Sequence, residues 1–170
     1  MSDSLLRNEP VGTAPIVGKG VTIGLAPPMA RYSLRTRDPQ VLERALGRSI
    51  PRQIGAIEGP VACLGPDEWL LRVPFGTPAL SAADQTVSIV DISDRAVCLM
   101  VEGPCAAQAL MAGCPLDLDR LAVGRATRTL FETVEIVILR TDDRVFEVEV
   151  WRSFAPWLQA SLEQVASDLH

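Results

Sequence analysis

Histidine is nearly absent from this chain: the single one is His170, the last residue. Termini are the least firmly placed parts of a fold, so Ser-His-Asp and Cys-His relays and multi-histidine zinc or iron sites are excluded from the interior. Paired cysteine spacing is missing too. Cys63, Cys98, Cys105 and Cys114 form no C-x-x-C motif, which argues against zinc or thioredoxin-type chemistry. The apolar settings Ala62-Cys63-Leu64, Val97-Cys98-Leu99 and Cys105-Ala106-Ala107 point instead to reduced thiols in the core. Positive charge is not in excess: 16 basic against 21 acidic residues give a net charge of −5, the wrong sign for a phosphate backbone. No apolar run approaches the roughly 20 residues of a membrane helix. The start Met1-Ser-Asp-Ser-Leu-Leu-Arg7 has no secretory pattern. The expectation is a soluble, cytoplasmic protein that binds neither nucleic acid nor membrane.

Nucleotide fingerprints are lacking as well. Gly12-Thr-Ala-Pro-Ile-Val-Gly18-Lys19-Gly20 has five residues between its glycines and no Ser or Thr after the lysine, so it fails as a phosphate loop. No G-x-G-x-x-G exists for a flavin or nicotinamide. Carboxylates remain available in Asp91, Asp94, Asp117 and Asp119, but all four lie where turns and helix stops are expected, and their structural use is favoured. From the residues, no catalytic, cofactor-binding or metal-binding position is assigned.

What is present is a chain of 170 residues, 48% hydrophobic, long enough for one domain whose core needs no disulfide or metal. Residues 1–30 are dense in proline and glycine, which blocks regular helix; they read as an extended arm rather than a core element. Ile16, Val17, Val21, Ile23 and Leu25 make that arm too apolar for a solvated tail, so it should lie against some surface. Residues 31–170 read as a single domain. Tyr32–Thr36 alternates like a strand. Asp38-Pro39 opens a helix that Gly47 closes, with Val41, Leu42, Ala45 and Leu46 on one face. Val61–Leu64 and Glu68–Val73 form a hairpin across Gly65-Pro66-Asp67, and a short helix has room at Ala79–Asp84. Thr86–Asp91 and Ala96–Glu102 are strands, the second apolar enough for burial on both faces. Gly103-Pro104 opens a helix over Cys105–Ala112, and Leu116–Leu121 is a linking turn. Thr133–Arg140 and Val145–Trp151 form a second hairpin. Ser153 is expected to cap a last helix through Asp168, with Trp157, Leu158, Leu162 and Val165 toward the sheet. Packing is the default role of Trp69, Trp151 and Trp157. Strand, helix, hairpin therefore occurs twice, which describes an α+β fold: two similar halves, mostly antiparallel sheet, helices packed on it.

Charge is unevenly placed. Arg31, Arg35, Arg37, Arg44, Arg48 and Arg52 are offset locally by only Asp38 and Glu43. They are either a solvated face or a docking surface for an acidic patch; Lys19 is the only lysine, so part of the arginine bias is compositional. Arg152, between the last strand and helix, either caps a carboxylate or reaches a partner. Arg31, Arg35, Arg37, Arg44, Arg48 and Arg152 are the candidate partner interface.

Several short segments occur in an order that resembles a known family: Gly65-Pro-Asp-Glu-Trp-Leu-Leu71, the Asp91-Ile-Ser93 turn, Gly103-Pro104 with its Ala-rich helix, Gly113-Cys-Pro-Leu-Asp-Leu118, Gly124-Arg-Ala-Thr-Arg-Thr129 and Arg152-Ser-Phe-Ala155. Over residues 31–168 the chain resembles the gamma subunits of heterotetrameric sarcosine oxidase. The resemblance implies the folate-binding aminomethyltransferase (glycine cleavage T-protein) fold. It implies partner alpha, beta and delta subunits that carry FAD, FMN, NAD, tetrahydrofolate and zinc, with no cofactor on this chain. It also implies a supporting, non-catalytic role in oxidative demethylation of sarcosine or a related N-methyl amino acid. A free-standing tetrahydrofolate-binding module and an aminomethyl transferase using Asp91 are the competing expectations.

Overall fold

The computed structural model describes residues 9–77 and 85–169; the short helix expected at Ala79–Asp84 lies outside them. Eleven strands form two sheets. β1 (Ile16–Gly18), β2 (Val21–Leu25), β8 (Ala96–Glu102), β9 (Arg125–Phe131), β10 (Val134–Asp142) and β11 (Val145–Trp151) make the larger sheet, in the order β1-β2-β8-β11-β10-β9. β3 (Met29–Thr36), β4 (Ile57–Glu58), β5 (Val61–Gly65), β6 (Glu68–Pro74) and β7 (Val87–Asp91) make the smaller, in the order β4-β5-β6-β3-β7. Every strand pairing is antiparallel. Among the described residues three α-helices accompany them, α1 (Pro39–Leu46), α2 (Ala106–Met111) and α3 (Ala155–Asp168), with a short 3-10 turn at Leu118–Arg120.

The expected strand-helix-hairpin repeat is present as β3-α1-β5-β6 and β8-α2-β10-β11, one in each sheet. The strand just before each repeat joins the opposite sheet: β2 precedes β3 yet pairs with β8, and β7 precedes β8 yet pairs with β3. The halves therefore exchange their first strands. This corrects the expectation of an extended arm where Ile16–Gly18 and Val21–Leu25 are concerned, while residues 1–8 of that arm lie outside the described residues. Ile23 pairs with Val101 and is fully buried with Val21 in the larger core. Proline and glycine break the chain around these short strands, but burial of the alternate side chains and the neighbouring ladder hold them in the sheet.

Local signals explain the rest. The Asp38 side chain accepts a hydrogen bond from the Gln40 N–H at 2.9 Å, Pro39 opens α1, and Gly47 closes it in the left-handed region at φ 65°, a conformation glycine adopts without steric cost. The hairpins 61–74 and 134–151 form as expected. β9 was not foreseen: Arg-Ala-Thr-Arg-Thr-Leu-Phe is mostly polar, and it holds as an edge strand on β10. Ser153 does not cap α3; Phe154 occupies that position without a side-chain cap bond. Of the tryptophans, Trp69 is buried and donates to the Pro51 carbonyl at 2.7 Å. Trp151 and Trp157 are partly exposed, so interior packing is not their full role.

Apolar residues fill the outer side of each sheet. On the larger, Val97, Leu99, Val101, Ile136, Ile138, Phe146 and Val148 pack under α2 and α3, against Leu110, Leu158 and Leu162. On the smaller, Tyr32, Leu34, Val61, Trp69 and Leu71 pack with Leu42 of α1 and Ile50. The helices thus lie outside and the sheets face each other. No helix among the described residues is long and apolar enough to cross a membrane.

Candidate functional site

Side chains alternate along a strand, so the residues between those outer cores point into the space between the sheets. They are largely charged. On the smaller sheet Arg31 pairs in register with Arg72, and Arg35 with Glu68. Two arginines directly opposite on one face repel. β11 of the larger sheet supplies the compensation. Glu149 accepts from Arg31 Nε at 2.6 Å and lies 3.4 Å from Arg72 Nη1, which also contacts Glu147. Arg31 is 3% and Glu149 5% exposed. Arg31 further donates to the Met29 carbonyl, and its backbone N–H donates to the Ser93 hydroxyl. Each arginine thus finds its countercharge in the opposite sheet.

A second set closes the other part of the seam. Arg128 of β9 forks onto Glu68 at 2.7 and 3.2 Å, and Arg35 reaches the same carboxylate at 3.0 Å. The hydrogen bond from Arg128 holds the Glu68 carboxyl below the usual carboxylate range, and Glu68 in turn raises Arg128. Ala62, Ala126 and Leu139 form a small apolar contact between the sheets. Cys98 sits beside Glu149 in register; burial first, and the Glu149 charge second, push its thiol well above its ordinary value. All four cysteines are free, and Cys63, Cys98 and Cys114 are buried.

Between these pairs lies a cavity of about 370 Å³, bordered by Arg31, Arg35, Glu68, Arg128, Glu149 and Trp151. That volume is in the range of small-ligand pockets. Its carboxylates are already engaged: Glu68 and Glu135 face Arg128, and Glu149 faces Arg31.

The candidate interface arginines do not form one surface. Arg31 is inside the seam and is withdrawn from that role, because its guanidinium is buried on Glu149. Arg35 is half exposed at the cavity, paired with Glu68 and Asp67. Arg37, Arg44 and Arg48 are exposed on and around α1, where Arg52 pairs with Glu43 at 2.7 Å. Arg152 lies at the far end of β11, partly buried, with Nη1 lacking a hydrogen-bond partner. Asp91 accepts from both the N–H and hydroxyl of Ser93, at 2.8 and 2.6 Å, the turn-forming use expected of it. Asp94, Asp117 and Asp119 are exposed. Among the described residues no group of three or more His, Cys, Asp or Glu is placed to hold a metal ion. Sequence reasoning assigned no site role to Arg72, Glu147, Glu149, Glu68 and Arg128; the polar-apolar alternation of Val145–Trp151 was the trace of Glu147 and Glu149.

Residues 40–168 match the family described as "Sarcosine oxidase, gamma subunit family". The chain belongs to the sarcosine oxidase gamma subunit family. It is 28% identical over 143 residues to a sarcosine oxidase subunit gamma of Corynebacterium sp. (strain P-1), covering 75% of this chain and 70% of that one. It is 30% identical over 119 residues to the subunit gamma from Arthrobacter sp., covering 63% and 59%. Its structure is similar to a chain of the heterotetrameric sarcosine oxidase from Corynebacterium sp. U-96, solved with pyrrole 2-carboxylate. The TM-score is 0.81 at 25% identity, over 97% of this chain and 99% of that one. The glycine cleavage system aminomethyltransferase T from Bartonella henselae shares the fold at 15% identity, with a TM-score of 0.64 over 86% of this chain and 46% of that one. The gamma family's α+β architecture is thus the one expected from sequence.

Proposed function

We propose that this chain is the gamma subunit of a heterotetrameric complex of the sarcosine oxidase type, assembled in the cytoplasm with alpha, beta and delta subunits, and that it shapes the complex without itself reacting. The complex would oxidatively demethylate sarcosine or a related N-methyl amino acid to glycine, hydrogen peroxide and formaldehyde or 5,10-methylenetetrahydrofolate. FAD, FMN, NAD, tetrahydrofolate and zinc would be held by the companion subunits. The observation that carries this reading is the end-to-end likeness to a chain of an enzyme solved as a heterotetramer. A supporting role is favoured by the seam, where the buried acids and bases neutralise one another across the sheets instead of standing ready for proton transfer. Four free cysteines suit a reducing compartment.

Tetrahydrofolate on this chain is not part of the proposal, although the aminomethyltransferase fold invites it. A pteridine ring asks for an acceptor to its N–H donors, and each carboxylate lining the cavity shares its acceptor oxygens with an arginine, so none is set aside for such a ring. Calorimetric titration of the chain with tetrahydrofolate should give no binding heat.

The test is co-expression with the companion subunits, followed by native mass determination and a peroxide assay with sarcosine. Recovery of one complex containing this chain, active as a whole, is the expected result. Amine-oxidising turnover by the isolated chain would overturn the reading.

A further inference from the structure

The corner where β11 passes into α3 differs from the rest of the charged architecture. Trp151 is 42% and Phe154 44% exposed, their rings 6.4 Å apart and tilted by 34°. The Arg95 guanidinium lies 4.2 Å from the centre of the Trp151 ring. The Arg152 N–H donates to the Arg95 carbonyl at 2.8 Å, so both cationic side chains spring from adjoining positions. The arginines of the seam each meet a carboxylate. Among the described residues no ion pair involves Arg95 or Arg152, and Arg152 Nη1 is shielded from solvent without a hydrogen-bond partner. Two large aromatic surfaces beside two cations that no carboxylate among the described residues pairs have the composition of an energetic centre in a protein interface, where Trp and Arg are enriched. Stacking on Trp151 holds the Arg95 plane in place, and a preset guanidinium is suited to forked bonding with a carboxylate.

We propose that Trp151, Phe154, Arg95 and Arg152 form the seat for an acidic segment of a companion subunit. The assignment rests on the reading of this chain as an assembling gamma subunit and deepens it by naming the surface and the chemistry of its partner. The segment lays an apolar side chain on the two rings and presents Asp or Glu to the arginines. A second copy of this chain is the rival occupant.

The experiment uses the full complex, co-expressed with an affinity tag on a companion subunit, and measures how much of this chain is recovered. Trp151→Ala with Arg95→Glu should lower recovery by more than about tenfold, while Arg120→Ala, at an exposed position away from the corner, should not. Raising the salt concentration should weaken assembly of the wild type, because exposed charge pairs are screened. Oxidative footprinting of the wild-type complex gives a readout independent of variant folding: Trp151 and Phe154 should be protected on assembly, while Val17 at 74% exposure stays reactive. Full recovery of the double variant together with unprotected Trp151 would overturn the proposal, as would salt-indifferent assembly. Loss of recovery in Arg44→Ala with Arg48→Ala alone would move the interface to α1 and overturn it too. Self-association of the isolated chain that protects Trp151 would assign the corner to a second copy. A wild-type chain that joins no companion at all overturns the gamma-subunit reading itself, an outcome distinct from assembly with an exposed corner.

Discussion

The two sheets share a strand plan but not a means of support. The larger is backed by α2 and α3 and a continuous apolar layer from Val21 to Ala166. Among the described residues the smaller is backed by α1, eight residues long, over a narrower cluster around Trp69 and Leu42. A helix that short contributes little by itself. The smaller sheet is held by what it shares: the strands exchanged with the larger one, and Arg31 and Arg72, whose countercharges belong to that neighbour. One half is stabilised by its own interior and the other by its attachment.

The seam is the place to break that attachment. Glu149→Ala leaves Arg31 buried without its countercharge, and such a loss costs about 3–5 kcal/mol; urea unfolding should show it as a lower midpoint. Replacing both partners, Arg31→Met with Glu149→Leu, should recover most of that loss, since two apolar groups need no neutralisation. Failure of the double variant to recover would mean that the charges do more than balance each other. Within the larger core, Leu158→Ala should cost about 2–5 kcal/mol by leaving a cavity. Its unfolding should also carry the smaller sheet along: with Trp151 and Trp157 replaced by Phe, so that fluorescence reports Trp69 alone, fluorescence and far-ultraviolet dichroism should give coincident transitions. Separate transitions would show that strand exchange does not unite the halves. Asp38→Ala removes the cap of α1 and should cost about 1 kcal/mol, testing how far the smaller sheet leans on that helix.

The smallest effect is acid sensitivity at Glu68. Its folded carboxyl binds a proton less readily than the unfolded one, which titrates near pH 4.3, because Arg128 donates to it. The stabilisation is therefore complete above that pH and is lost as pH falls through the lowered folded value. Arg128 is 37% exposed, so water screens the pair and holds its worth to at most about 1 kcal/mol. Glu68→Gln should lower neutral stability by at most about 1 kcal/mol, flatten the acid limb of the stability profile and leave stability at low pH nearly unchanged.

The legible parts of this fold were those coded by neighbours in sequence. Asp38, Pro39 and Gly47 fix α1 because capping is a local matter, and the hairpin Val134–Trp151 shows itself through β-branched alternation. The seam was hidden because strand alternation has the same form whether the polar face meets water or a second sheet. Glu147 and Glu149 read as surface residues until β3 and β6 cover them. The strands at Ile16–Leu25 escaped for a related reason: their partner, Ala96–Glu102, lies far along the chain, while the breakers around them are close by. The arginine cluster misled in one respect, since adjacency in sequence placed Arg31 with Arg44 although one faces inward and the other outward.

Cys98 sits at the middle of this arrangement, sealed from water beside the Glu149 carboxylate. Oxidants attack the thiolate, and this setting keeps the sulfur protonated. A thiol held in this way is a poor nucleophile, and Cys98 should stay unoxidised for as long as the two sheets remain closed over it.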